Sequence, residues 1–265
     1  MQDFTSLTQS LKTAPLDEIL TRISAQVKSH PQDMKARDIL FKLYCIDGAW
    51  DKALMQLQTM ALLDSELKKQ TELYKNLVFS EVQRQQVLTG ERQAATLKGE
   101  MPGWMLKIHQ ANSEHYQGKS EQALTLREEG FEQAPENAGR SETLGEFSWI
   151  ADSDSRLGPI CEFICAGGYR WVPYAGIQRL NLRQPEDLLD LLWLPAEVNV
   201  EGETYYGYVP ARYPVAKNDS QEIKLGLKTE LEKLSEMVLA GSGRKVLLTD
   251  LSEQAITEAG DIVFK

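Results

Sequence analysis

The chain has 265 residues, 42% apolar and 26% charged, a composition that fits a globular protein with a sizeable core and excludes a disordered or fibrous one. Its 29 basic and 39 acidic side chains leave a net charge of −10, which argues against nucleic acid and against an anionic lipid surface as partners. Three cysteines, Cys45, Cys161 and Cys165, are too few for a disulfide framework. No apolar run approaches the ~18 residues of a membrane span, and the first residues do not look like a secretory signal, so a cytoplasmic location is expected.

Residues 1–140 carry 17 basic and 19 acidic residues and are rich in Leu, Gln, Lys, Ala and Glu, all good helix formers. A weak repeat runs through them. Ile19-Leu20, Ala53-Leu54 and Ala123-Leu124 are separated by 34 and 70 residues, one and about two tetratricopeptide periods. Gly48 and Gly118 each lie five residues before the small residue of the pair, where paired helices turn. Pro31 and Pro135 each lie twelve residues after Ile19 and Ala123, where a second helix would close. Ala53, Leu57 and Met60 fall on one helical face. The middle unit, near Val87-Leu88, is degenerate; of the signature aromatics Tyr44 fits and Trp50 does not. The spacing predicts stacked helix pairs with a curved surface suited to a peptide or helix, against the alternative of an ordinary bundle.

Residues 141–265 carry 12 basic and 20 acidic residues and are richer in Gly, Pro, Tyr and Val. The change falls near Ala138–Gly145. Pro159–Cys165 reads as a strand, Ala166-Gly167-Gly168 as a tight turn and Tyr169–Val172 as its partner strand. Pro185-Glu-Asp187 predicts a helix through Trp193, ended by Pro195. Ala196–Val200 and Thr204–Val209 form a second hairpin, and Lys245–Thr249 and Ile262–Phe264 are further strands. The expectation is α+β: an all-α tetratricopeptide-like repeat domain over 1–140, then a small α+β domain over 141–265 with a mainly antiparallel sheet.

Few residues offer chemistry. Asp152 and Asp154 could hold a divalent cation in a metal-dependent enzyme, or simply bond backbone N–H groups in a turn. Cys161 and Cys165 share a strand face, but the three histidines, His30, His109 and His115, all lie in the other half, so buried apolar cysteines are expected rather than a metal site. Gly241-Ser-Gly243-Arg244 lacks the phosphate-loop pattern and reads as a hairpin loop. The unusual stretches are Gly168–Tyr174 and Tyr205–Pro214, dense in Tyr, Trp, Arg and Pro. Such residues build both cores and interface anchors. Trp171, Tyr174, Arg212 and Tyr213 are the candidate partner contacts. Trp149, if fully buried, would help to hold the halves together.

These motifs also carry a resemblance. Trp149-Ile-Ala-Asp-Ser-Asp-Ser-Arg-Leu-Gly-Pro159, Gly168-Tyr-Arg-Trp-Val-Pro173 and Asp190-Leu-Leu-Trp-Leu-Pro-Ala196 resemble the ImpE family, also called SciE or TagJ. So do Pro210-Ala-Arg-Tyr-Pro214, Leu225-Gly-Leu-Lys-Thr229 and Gly241-Ser-Gly-Arg-Lys-Val-Leu-Leu-Thr-Asp250, together with Gly48-Ala-Trp-Asp-Lys-Ala53. The chain departs from the family pattern at Glu230-Leu231, where a Trp is expected soon after Thr229, and at Val215, where a small residue is expected. The resemblance implies a cytoplasmic accessory protein of bacterial type VI secretion with no enzyme activity, no catalytic residue and no cofactor. It implies contact with the small subunit of the contractile sheath and a link to the AAA+ ATPase that disassembles contracted sheath.

Overall fold

The structure is a computed structural model and describes residues 11, 13–235 and 238–265. Six helices come first: α1 (Leu16–Ser29), α2 (Met34–Asp47), α3 (Trp50–Leu63), α4 (Lys68–Leu88), α5 (Gly103–Tyr116) and α6 (Ser120–Glu132). Their starts follow local chemistry. Asp33 accepts the N–H of Ala36 at 3.0 Å to cap α2, and α1 opens after Pro15 with Asp17 and Glu18 in its first turn, where the helix dipole favours acids.

The repeat spacing appears in space. Leu16, Trp50 and Ser120, the first residues of α1, α3 and α6, lie 34 and 70 residues apart. Ile19, Ala53 and Ala123 are all buried, and Leu20, Leu54 and Leu124 are all half-buried. Gly48 and Gly118 close the α2–α3 and α5–α6 turns at φ of 75° and 81°, the left-handed region that glycine tolerates best. The degenerate unit is also visible: α4 runs unbroken for 21 residues through the place where a middle turn would fall.

Chain character changes at 139, as the composition does. Fourteen strands are described: β1 (Ala95–Thr96), β2 (Gly139–Ser141), β3 (Gly145–Phe147), β4 (Ile150–Asp152), β5 (Ile160–Cys165), β6 (Gly168–Pro173), β7 (Arg179–Leu182), β8 (Trp193–Val200), β9 (Glu203–Pro210), β10 (Thr229–Ser235), β11 (Val238–Gly243), β12 (Val246–Thr249), β13 (Glu253–Ala255) and β14 (Asp261–Phe264). A short α7 (Gln221–Lys224) precedes β10. The large sheet has the order β1-β6-β5-β9-β8-β7-β14-β2-β3, with β10–β11 and β13-β12-β4 as smaller sheets. Every pairing is antiparallel except that of β1 with β6.

Two layers cover the central strands, and the pleat explains how. Ile160 and Ile164 of β5 join the cluster that includes Phe41, Leu77 and Ile108 of the helices. Cys161 and Phe163, on the opposite face, join a second cluster with Leu194, Val198, Leu247 and Ile262. A strand buried on both faces reads as one apolar run. The helical half and the sheet therefore share one core.

Two sequence expectations need correction. The helix predicted from Pro185 is one tight 3₁₀ turn, Leu188–Leu191. Its start signal is genuine, since Asp187 and Asp190 form a reciprocal cap. It stops because Trp193 and Leu194 belong to opposite cores, which only an extended chain can satisfy, and Pro195 lies within β8. Gly241–Gly243 is not a loop but the end of β11, paired to β10.

Candidate partner-binding site

The four aromatic and arginine residues singled out from the sequence are all buried. A side chain enclosed on all sides has no surface to give a partner, so the expected contacts at Trp171, Tyr174, Arg212 and Tyr213 are replaced by interior roles. Trp171 Nε1 donates to Tyr169 Oη at 2.9 Å, and Tyr169 donates to Glu162 Oε1 at 2.6 Å. Tyr174 stacks on Phe264 with ring centroids 6.2 Å apart. Arg212 donates to the carbonyls of Cys45 at 2.7 Å, Ile46 at 2.8 Å and Lys224. It thereby places a cation on the last carbonyls of α2, where the dipole favours it; burial first of all lowers its pKa to about 10.

Tyr213 belongs to a chain of buried charges that joins α4 to the sheet. Arg84 grips Glu162 in a two-pronged pair at 2.6 and 2.8 Å and reaches Glu81 at 3.3 Å. Glu81 accepts from Trp193 Nε1 at 2.9 Å. Lys245 Nζ sits 2.7 Å from the second oxygen of Glu162 and also binds Asp152. Asp152 accepts from Tyr213 Oη at 2.7 Å, so Ser153 Oγ, 2.8 Å from that same phenol, donates to it. Burial alone would raise Glu162, but the Arg84 and Lys245 charges outweigh it and hold the carboxyl well below the usual range. Burial raises Asp152, with Lys245 opposing and Asp154 and Glu162 reinforcing.

Asp152 and Asp154 form the turn of the plainer reading. Asp152 Oδ1 also accepts from the Asp154 N–H at 2.9 Å. Asp154 accepts from Gly241 N at 2.9 Å and from the Arg156 backbone and guanidinium. Protein donors thus take the acceptor positions that a cation would need. Cys161 is buried and Cys165 half-buried against one cluster, and His109 packs edge-on to Trp171 at 6.5 Å.

Sequence reasoning missed Glu81, Arg84, Glu162 and Lys245. The signal was present: Glu162 sits in the middle of Ile-Cys-Glu-Phe-Ile-Cys, and Lys245 heads Val-Leu-Leu. A charge inside a buried strand needs a partner from another element.

The surface offers a different feature. Met55 and Leu62 of α3, Leu73, Phe79 and Val82 of α4, and Leu106 of α5 are exposed, with Leu62 at 87% and Phe79 at 55%. From Asn76 to Leu88 the only charged residues of α4 are Glu81 and Arg84, both buried, so its outward face there carries no charge. Depletion of charge around apolar side chains marks the centre of protein interfaces.

Comparison with known proteins agrees with this architecture. The family described as "ImpE protein" matches residues 145–263. The chain is 33% identical to the type VI secretion system accessory component TagJ of Pseudomonas aeruginosa, over 96% of this chain and 89% of that one. The crystal structure of protein VPA1032 from Vibrio parahaemolyticus superposes with a TM-score of 0.89 at 25% identity, covering 98% of this chain and 97% of that one. Among the described residues no helix is long and apolar enough to cross a membrane. On the strength of its full-length relative, the chain belongs to the ImpE/TagJ family of type VI secretion accessory components.

Proposed function

We propose that this protein is a non-enzymatic, cytoplasmic adaptor of the type VI sheath. In this reading the helical half receives an amphipathic helix of the small sheath subunit, and the whole chain links the contractile sheath to the AAA+ ATPase that disassembles it. The observation that carries the proposal is the uncharged, apolar face of α4, which fits a helix docked by spaced apolar anchors. Membership of a family of secretion accessory components supports it.

The test is calorimetric titration of the full chain with the amphipathic helix of the small sheath subunit, supplied as a synthetic peptide. Binding is expected, with Phe79→Asp weakening it about tenfold or more, as for a central interface residue. Phe79 is more than half exposed, so the substitution spares the fold. Absence of binding, or equal binding by the variant, would remove the α4 face from the proposal. A pull-down with the full chain as bait then tests whether the ATPase is retained.

A further inference from the structure

Of the five tryptophans, Trp104, Trp171 and Trp193 are buried, Trp50 is half-buried, and Trp149 is 43% exposed. Trp149 stands just before β4, at the end of the β4–β12 ladder whose last pair is Ile150 with Thr249. The ladder continues on the other side into Asp250 and Leu251, and Leu251 is 69% exposed. Asp250 accepts the Ser148 N–H at 2.9 Å, which ties the two chain segments together beside the indole. Glu253, at the start of β13, follows on the same side of the turn and is exposed.

The charge around this corner has one sign. Residues 141–155 and 246–264 contain no Lys or Arg. Glu146 of β3 already has a cation, Lys265 at 3.9 Å, whereas Asp250 and Glu253 have no ion-pair partner given among the described residues. The bonds from Ser148 also keep the Asp250 carboxyl below its ordinary value, so it stays ionised. An exposed indole beside an exposed leucine costs solubility, and two unneutralised carboxylates at its edge select the sign of what can cover it.

We infer that Trp149, Leu251, Asp250 and Glu253 form a docking surface for a basic peptide segment, distinct from the α4 face. A lysine or arginine of the partner would lie over the indole, a neighbouring apolar residue would meet Leu251, and the two carboxylates would take further cations. An acidic segment is repelled at this corner, and so is an anionic lipid surface.

The probe is a fluorescein-labelled peptide, Lys-Leu-Lys-Lys-Leu-Lys, titrated with the full chain at low salt and read by anisotropy. Saturable binding is expected, weakening as salt is raised. Trp149→Ala and Leu251→Ser should each weaken it about tenfold, the loss typical of an interface anchor. Glu253→Lys should weaken it about threefold or more through the lost attraction. Glu132→Lys, a charge reversal on the exposed end of α6, should leave it unchanged. The inference is overturned if no binding occurs up to about 1 mM peptide, the edge of measurable affinity. It is also overturned if the peptide with Glu in place of Lys binds equally, or if Glu132→Lys weakens binding as much as Glu253→Lys, which would mark attraction by net charge alone. A shift in tryptophan emission on concentrating the protein without peptide, absent in Trp149→Phe, would assign the surface to a second copy instead. Leu251 is largely exposed, so its substitution keeps the test open if Trp149→Ala disturbs the ladder.

Discussion

Glu162 shows why a buried charge in this protein belongs to structure rather than chemistry. It accepts from Arg84, Tyr169 and Lys245 at once, which leaves little for a substrate or a metal. Removing the charge from such a set strands Arg84 and Lys245 without their anion. Glu162→Gln should therefore cost about 3–5 kcal/mol at neutral pH, measured by denaturant unfolding. Because the carboxyl is held below its ordinary value, its stabilisation is complete above about pH 4.3 and is lost as the pH falls from there towards the folded-state value. The gap in melting temperature between wild type and Glu162→Gln should thus narrow on acidification below that point, and a gap that stays constant would disprove the assignment. Asp152 runs the other way: burial raises it, so its protonation comes earlier on acidification and favours the folded state. Residue identities alone left this network hidden. A strand with one glutamate among apolar residues is legible as odd, but its partners come from α4 and from the chain before β12, 78 and 83 residues away.

At the scale of elements, local chemistry was widely readable. The turn glycines and the closing prolines mark the helical pairs, and the hairpins β5–β6 and β8–β9 stand where Gly-Gly and Glu-Gly-Glu place them. The two helix turns nevertheless differ in their surroundings. A Cβ on Gly118 would meet nothing within 4 Å, whereas one on Gly48 would come within 2.7 Å of Val215 Cγ2. Gly118→Ala should cost about 1–2 kcal/mol, the left-handed penalty alone. Gly48→Ala should cost measurably more in the same thermal or denaturant melt, because the valine must also move. Equal costs would mean that Val215 yields freely. The departure from the family pattern at Val215 therefore rests on the α2–α3 turn. Where element reading failed, at Leu188–Leu191, the start signal was correct and the layer assignment of Trp193 and Leu194 overrode it.

Across the whole molecule, the two compositional halves are held together at specific points. Arg212 and Lys224 seat on the end of α2, Lys224 pairing with Asp47 at 2.8 Å. Lys42 pairs with Asp187 at 2.7 Å, β1 extends the large sheet, and Trp171 and Trp193 sit in the helical core. A fragment ending at residue 140 would lose those aromatic side chains and expose the faces of α2, α4 and α5 that they cover. It should show no cooperative melt and should bind hydrophobic dye, while the full chain melts with both halves together. A cooperative transition in the fragment would show that the helical half stands alone. For the same reason the partner-binding tests use the full chain.

Sequence by itself determined the acidic, globular character, the α-then-β order, the positions of most turns and the family, because these follow from composition, short-range backbone preference and motifs read in order. Tertiary structure decided which side of each residue faces water. It turned Trp171, Tyr174, Arg212 and Tyr213 inward and left Trp149, Phe79 and Leu251 outside. Aromatic and arginine side chains suit a core with polar handles as well as they suit an interface, and only the packing of α4 against β5 and β6 settles which of the two each one serves.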